Sequence, residues 1–263
     1  MKSFVRIAAF AAGLLVLSPA HALKVAVYGA NGVITGLTNH GHTVTSITQP
    51  QLEGGLGAYD VLVMGHLPGW SALACTSITN FLASGHRVVT EWNGVYNIFS
   101  AVGANPYIPT PPQCNLAPGT AGQGNFVATN NPVTITQPAD PMMAGLTSPL
   151  QFGGASEFFW QVTGFAPAQW RVVATYDGWA TTGNAAILYG NVGGGSVVIG
   201  TFDYQDSSGG QLDTMVNNFV TVALAPPVNP TVPTMSELAL ALLGALLAAA
   251  GAWTLLKRRG TIA

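Results

Sequence analysis

Strand-like and helix-like segments alternate along the first part of this chain, and that order constrains its fold more than any other feature. Strand-like segments occupy residues 24–28, which are rich in β-branched residues, and residues 42–47, 60–64 and 87–91. Between them, residues 31–39 and 71–83 have helical spacing and are followed by Gly41 and Gly85 as stop signals. Consecutive strands joined by helices form a parallel sheet with right-handed crossovers. The sequence therefore predicts an α/β fold with a doubly wound, mostly parallel sheet.

The second half of the body is predicted to be rich in β-strands. Residues 103–150 are rich in Pro, Gly, Asn and Thr, which is typical of loops with short strands. Further strand-like runs cover residues 158–162, 171–176, 185–189 and 196–202. The Gly-rich segment 190–195 predicts a hairpin turn between the last two runs. An amphipathic helix over residues 212–224 closes a single domain, which we predict to span residues 23–225.

The charge content excludes some classes of protein. Charged residues make up only 7% of the chain, against roughly 25% in an average soluble domain. Between residues 23 and 231 there are three basic and nine acidic residues. A mildly acidic body repels phosphate backbones, so we expect no nucleic-acid partner. Disordered chains are polar and rich in charge, so we expect this body to fold.

The first 22 residues have the three parts of a secretory signal peptide. Lys2 and Arg6 supply positive charge, residues 7–17 form an apolar run, and Ala20-His21-Ala22 is a small-x-small cleavage site. The apolar run is too short to cross a hydrocarbon core of about 30 Å comfortably. We therefore expect residues 1–22 to be removed and the body to be exported.

The other end predicts a membrane anchor. Residues 226–237 contain a Pro-rich stalk, and residues 238–256 form an apolar run without a charge. That run is long enough to cross a bilayer as a C-terminal transmembrane helix. The tail, residues 257–263, begins with three consecutive basic residues, and such a cluster stays on the cytoplasmic side. The body is therefore expected on the periplasmic face of the inner membrane.

A short motif precedes this helix. It consists of Val232, Pro233, Thr234, Met235, Ser236 and Glu237. With the apolar helix and the basic cluster behind it, the motif resembles the IPTL-type C-terminal protein-sorting signal (IPTL-CTERM) of Gram-negative bacteria, which usually reads Ile-Pro-Thr-Leu-Ser-Glu-Trp. The resemblance implies recognition by a membrane-embedded sorting enzyme and, where the tail is cleaved, transfer to the cell surface. The residues alone indicate only a membrane anchor.

Cys75 and Cys114 are the two cysteines of the chain. Because an exported protein meets an oxidising environment, we expect them to form a disulfide. It would close a loop of about 40 residues and contribute roughly 4 kcal/mol in the chain-entropy model. The alternatives are two buried free thiols or a single nucleophilic cysteine.

Three stretches of the body carry a second resemblance. Residues 24–65 give a strand-helix-strand-strand opening, residues 140–146 read Asp-Pro-Met-Met-Ala-Gly-Leu, and residues 194–200 form a Gly-rich late strand. This order resembles the class I glutamine-amidotransferase-like (flavodoxin-like) superfamily, including its ThuA-like branch. In that family the middle stretch begins with His, where this chain has Asp140. The resemblance implies a flavodoxin-like fold over most of residues 24–224.

In doubly wound sheets the functional site lies beyond the carboxyl ends of the strands. The candidate catalytic residues at those ends are His66, Glu91 and Asp203. The candidate ligand-binding residues are Asn31, His66, Trp92, Asn93, Trp179 and Tyr204. The alternative is that these loops are simply polar and solvated.

The machinery for glutamine hydrolysis is missing from this pattern. That reaction needs a Cys thiolate on a strained strand-to-helix turn and a downstream His. The turn after the fourth strand reads Thr90-Glu91-Trp92-Asn93-Gly94, with neither Cys nor Ser, and all five histidines precede it. The sequence therefore predicts that this chain does not hydrolyse glutamine.

No cofactor and no metal site is predicted. Segment 29–36 has glycines after a strand, but their spacing differs from that of a dinucleotide-binding loop. His40 and His42 lack a third ligand nearby, and segment 203–206 lacks the spacing of a calcium loop. The many Trp, Tyr, Asn, Gln and Thr residues, with few cations, are typical of surfaces that bind neutral ligands such as sugars. They are equally typical of an ordinary exported β-rich surface.

The leading functional hypothesis is therefore an exported cell-envelope protein whose amidotransferase-like domain is a non-catalytic binding or structural module. The competing hypothesis is a degenerate hydrolase or sugar-processing enzyme that uses His66, Glu91 and Asp203. A third is an adhesion or biofilm component. The expected partners are the membrane, a sorting enzyme and a carbohydrate or other envelope ligand.

Overall fold

A computed structural model describes most of the body of the chain. The described residues are 22–65, 71–101, 114–121, 125–126, 133–150, 153–154, 158–159, 162–176, 185–201, 203–204, 207–208 and 210–224. The main sheet has eight strands: β1 (Lys24–Tyr28), β2 (Thr43–Ser46), β3 (Val61–Met64), β4 (Arg87–Thr90), β5 (Val133–Ile135), β6 (Trp170–Tyr176), β7 (Ala185–Val192) and β8 (Gly195–Gly200). The α-helices are α1 (Ile34–Asn39), α2 (Gln49–Glu53), α3 (Ala72–Ala83), α4 (Val95–Ile98) and α5 (Gly210–Thr221).

The strands of the main sheet lie in the order β2-β1-β3-β4-β8-β7-β6-β5. Neighbours from β2 to β8 are parallel, and neighbours from β8 to β5 are antiparallel. The parallel part comes from the alternating first half of the chain, whose helical crossovers return each strand in the same direction. The antiparallel part comes from the hairpin-rich second half. The predicted mixed α/β fold with a mostly parallel sheet is thus confirmed.

Helices cover both faces of the sheet. On β1, Val25 and Val27 pack with Leu37 of α1 and Phe219 of α5, whereas Ala26 packs on the opposite face, in the same cluster as residues of α2 and α3. Because successive side chains of a strand point to opposite faces, a strand covered on both sides must be apolar throughout. That condition explains why β3 is apolar throughout and why β1 is apolar after its exposed first residue, Lys24, and it confirms the doubly wound arrangement.

Several short elements complete the described part of the chain. The 3-10 helices are Asn31–Val33, Trp92–Gly94 and Pro141–Met143. The short strands are Ser100–Ala101, Thr120–Ala121, Asn125–Phe126, Gly153–Gly154, Phe158–Phe159, Val162–Thr163 and Ser207–Ser208. They form three small sheets beside the main one.

The structure corrects three details of the predicted elements. Helix α2 was not expected, although Thr48 and Gln51 form a capping box at its start. The single strand predicted over residues 158–162 is two short strands in different small sheets. The hairpin turn is shorter than predicted, because β7 continues to Val192 and pairs with Gly195 across a two-residue turn.

The predicted disulfide is confirmed. The sulfur atoms of Cys75 and Cys114 lie 2.00 Å apart, and the bond joins α3 to the segment that precedes the strand Thr120–Ala121. The alternatives of two free thiols and of a nucleophilic cysteine are therefore wrong.

Both ends of the chain fall outside the described residues. The predicted signal peptide (apart from Ala22), stalk, sorting motif, membrane helix and basic tail lie there. Within the part of the chain that the structure describes, no helix combines the length and the apolar character that crossing a bilayer requires.

Candidate functional site

Glu91 lies at the carboxyl edge of the sheet, directly after β4, and is fully buried. Its backbone N–H donates to the carbonyl of Met64 at the end of β3, at 3.0 Å. Its side-chain Oε2 accepts a hydrogen bond from the backbone N–H of Tyr204. Glu91 therefore ties the end of β4 to the segment that follows β8. Two of the predicted site residues are thus brought together.

The carboxylate of Glu91 packs directly on the backbone of Gly65. A Cβ atom at position 65 would overlap Glu91 Oε1 and would also approach the methyl group of Ala30 to 2.8 Å. Only glycine leaves room for this contact. The ends of β1, β3 and β4 therefore meet around one buried carboxylate, as expected for the carboxyl edge of a parallel sheet.

Asp203 and Tyr204 follow β8 and are both buried, and Tyr204 contacts Glu91 through its backbone N–H. The Tyr204 ring lies 6.3 Å, centroid to centroid, from the Phe219 ring of α5. Burial, and secondarily the negative charge of Glu91, raises the pKa of the Tyr204 phenol well above its ordinary value. The phenol therefore stays neutral at physiological pH and is held inside the domain.

Trp92 occupies a sharp turn between β4 and α4. Its φ angle is +30°, in the left-handed region, where residues other than glycine are strained by roughly 1–3 kcal/mol. A strained strand-to-helix turn of this kind presents the nucleophile in elbow-type active sites. Here the turn presents a buried indole, which has no nucleophilic atom for acyl transfer.

The other predicted site residues have different positions. Asn31 is exposed, and its Oδ1 accepts a 3.1 Å hydrogen bond from the Ser46 hydroxyl. Asn93 lies in the 3-10 helix Trp92–Gly94. His66 and Trp179 fall outside the described residues. Catalysis or ligand binding by the predicted set stays a prediction.

A second buried cluster was missed in the sequence. Asp140 caps the 3-10 helix Pro141–Met143 through a 2.9 Å bond from the Met142 N–H to Oδ1. Its Oδ2 accepts from the Tyr189 hydroxyl at 2.8 Å and lies 2.6 Å from Arg171 Nε. This acid therefore joins β6 and β7 to the helix. The available signal was an acidic residue directly before Pro141, which favours a helix N-cap.

The described ranges contain no group of three or more His, Cys, Asp or Glu side chains arranged to hold a metal ion. Glu91 and Asp140 accept hydrogen bonds from Tyr204 and Tyr189, respectively, and Asp203 is buried within the domain.

Solved structures of other proteins have a similar fold. No protein-family model and no curated sequence matches the chain. Among solved structures, the chain is similar to a ThuA-like protein from Bacteroides uniformis, with a TM-score of 0.54, 12% identity and coverage of 77% of this chain and 91% of that one. A ThuA-like protein from Parabacteroides merdae gives a TM-score of 0.53 and 14% identity over 81% and 94% of the two chains.

A third similar structure is a β-galactosidase from the haloarchaeon Halorubrum lacusprofundi. Its TM-score is 0.53 at 15% identity, with 80% of this chain matched to 32% of that enzyme. Identities this low show the fold alone. The body thus has the flavodoxin-like fold of ThuA-like proteins, as its resemblance implied.

Proposed function

We propose that this chain is an exported cell-envelope protein whose amidotransferase-like domain is a non-catalytic binding or structural module. The signal-like first 22 residues, the apolar run 238–256 and the sorting motif at 232–237 support export and anchoring. The Cys75–Cys114 disulfide supports the same location, because disulfides persist in oxidising compartments.

The observation that carries the non-catalytic part is Trp92 at the strained turn. An acyl-transfer enzyme of this fold class would place Cys or Ser there, activated by a neighbouring base. Glu91, next to it, is buried and accepts the Tyr204 backbone N–H. These contacts support a role for Glu91 in holding the sheet edge together rather than in activating a nucleophile.

A turnover screen tests this proposal against the hydrolase hypothesis. The full-length protein is purified in detergent and assayed with glutamine, model esters and chromogenic glycosides, beside the variants Glu91→Gln and Asp60→Asn. Asp60 is an exposed carboxylate at the amino edge of the sheet, so its variant is the matched control. The proposal predicts no turnover above buffer. Turnover that Glu91→Gln abolishes and Asp60→Asn preserves would establish an enzyme.

The anchoring part has its own test. Mass spectrometry of the mature C-terminus, on protein from the surface and membrane fractions, reads whether the tail has been removed. Sorting predicts surface protein that ends near residues 232–237. An intact Arg259 on all surface-exposed protein would contradict processing and leave a simple membrane anchor.

A further inference from the structure

Leu23 directly follows the predicted signal-peptide cleavage site, and the domain holds it at three points. Its backbone N–H donates to Nδ1 of His42 at 3.2 Å, and its carbonyl accepts from the Thr43 N–H at 2.9 Å. Its side chain packs against the core cluster on the α1 and α5 face of the sheet. Ala22, one residue earlier, is exposed. The predicted first residue of the mature protein is therefore a residue that the folded domain holds in place.

His42 is fixed as a hydrogen-bond acceptor for the Leu23 nitrogen. The residue is buried, and its backbone N–H donates to the carbonyl of Leu37 in α1 at 3.2 Å. Its ring Nε2 lies 3.0 Å from Oδ1 of Asn217 in α5. Because a backbone N–H can only donate, Nδ1 must accept, and the ring proton is then on Nε2 and is donated to Asn217. Asn217 therefore sets the tautomer in which the Nδ1 lone pair faces Leu23.

The end of α5 that His42 contacts favours a positive charge. Asn217 lies close to the C-terminus of α5, whose last turn contains no basic residue. The free carbonyl groups at the C-terminus of a helix carry partial negative charge and attract cations within about one turn. Arg87 already uses this end of the helix, because its Nη1 donates to the Phe219 carbonyl at 3.0 Å. The surroundings of the Leu23 nitrogen therefore favour a cationic donor over a neutral one.

Signal-peptide removal would supply that cation. Hydrolysis of the Ala22–Leu23 peptide bond consumes one water and leaves a carboxylate on Ala22 and an α-ammonium group on Leu23. The amino group of a chain terminus is mostly protonated at pH 7. It can donate to His42 as the amide does, but the bond is then charge-assisted and roughly twice as strong.

We infer that His42 and Asn217 form a binding site for the α-ammonium group of Leu23, so that removal of the signal peptide stabilises the folded domain. The ligand is the new N-terminus of the same chain. The inference rests on the proposed export of the protein, because it requires cleavage after Ala22.

The position of the first residue provides the test. Two chains that both end at Ala263 are purified in detergent, one beginning at Leu23 and one beginning at Ala22, and their thermal unfolding is followed by intrinsic fluorescence. Both chains offer a nitrogen at Leu23 to His42, but only the first offers a charged one. The chain that begins at Leu23 should melt about 2–4 °C higher, the scale of a stronger hydrogen bond in a domain of roughly 200 residues. The unprocessed chain, which has an amide at this position, should melt with the Ala22 chain.

His42→Ala tests whether this difference depends on the proposed site. With the acceptor removed, the chains that begin at Leu23 and Ala22 should melt within about 1 °C of each other. His40→Ala is the matched control, because His40 is an exposed histidine two residues earlier. Its two chains should keep the full difference.

Labelling of the α-amine gives a second readout that needs no variant. An amine-reactive ester attacks only the unprotonated amine, and a hydrogen bond to the ammonium form reduces the amount of that species. At pH 7 the α-amine of Leu23 should therefore be labelled about threefold more slowly than that of Ala22 in the folded chains. In urea the two rates should become equal. Peptide mass spectrometry separates these products from label on Lys24.

Three results would overturn the inference: equal melting temperatures of the two wild-type chains, a difference that persists in His42→Ala, or equal labelling of the two α-amines in the folded state. Each of them would leave export and cleavage intact. Protein from the envelope fraction that begins at a residue other than Leu23 would also overturn it, without contradicting export. A chain that keeps Met1 in the cytosol would instead contradict the proposed function.

Discussion

Removal of the Cys75–Cys114 disulfide should destabilise the domain strongly. The bond closes a loop with a sequence separation of 39 residues. In the chain-entropy model, a loop of that length contributes about 4 kcal/mol at 25 °C, by restricting the unfolded chain. For a domain of roughly 200 residues, each kcal/mol shifts the melting temperature by about 2–4 °C. The double variant Cys75→Ala/Cys114→Ala should therefore melt about 8–16 °C below the wild type.

Differential scanning fluorimetry measures this shift, and reduction provides the control. Both cysteines are partly exposed, so their replacement by Ala removes little packing. Wild-type protein treated with a reductant should then melt at the temperature of the double variant, and the reductant should not change the variant. A drop below about 2 °C would refute the entropic reasoning. If the double variant melts well below the reduced wild type, lost packing rather than the lost cross-link would be responsible for the additional destabilisation.

Three further perturbations follow from the buried contacts. Asp140→Ala leaves Arg171, 20% exposed, without its ion-pair partner and should cost about 3 kcal/mol, measured by urea unfolding against the exposed control Asp60→Ala. Folding raises the pKa of the Tyr204 phenol. This pKa difference therefore contributes fully to the free energy of unfolding below about pH 10, and the contribution is lost as the pH rises through the folded-state pKa. The free energy of unfolding of Tyr204→Phe should therefore fall less than that of the wild type between about pH 9 and 11. An equal dependence on pH in the two proteins would contradict this. Gly65→Ala should cost about 1–3 kcal/mol in the same urea assay, because its methyl group overlaps Glu91, and an unchanged midpoint would refute that packing.

The first half of the fold could be predicted from local patterns. The strand β3 is apolar throughout, and β1 and β4 have apolar centres, as burial on both faces requires. The serine at the start of α3 caps it as its sequence suggests, with the Ala74 N–H bonded to Ser71 Oγ. Periodicity and capping involve residues that are close in sequence, so both can be recognised in a single sequence without knowledge of the fold.

Two other features are local, but their sequence signals did not single out one structure. The two-residue turn at Gly193 and Gly194 could not be placed within the six-residue Gly-rich segment, because several of its glycines permit a turn. Helix α2 has five residues, too few for a periodic signal, and is marked by its Thr48–Gln51 capping box and by Pro50 in its first turn.

The candidate site was only partly predictable, because its contacts join distant segments. The carboxyl-edge rule placed Glu91, Asp203 and Tyr204 together, since it depends on strand order alone. It did not predict that Glu91 would accept the Tyr204 backbone N–H, which requires the three-dimensional position of the segment after β8. The Asp140–Arg171 pair was hidden because its partners are 31 positions apart in sequence and meet only in the folded sheet.

Non-reducing peptide mapping of the native protein, taken from each cell fraction of its own host, tests whether the domain is exported and cross-linked by its disulfide. We expect protein in the envelope fraction to begin at Leu23 and to contain a peptide pair cross-linked through Cys75 and Cys114. Protein found in the cytosol with Met1 in place and both thiols free would contradict it.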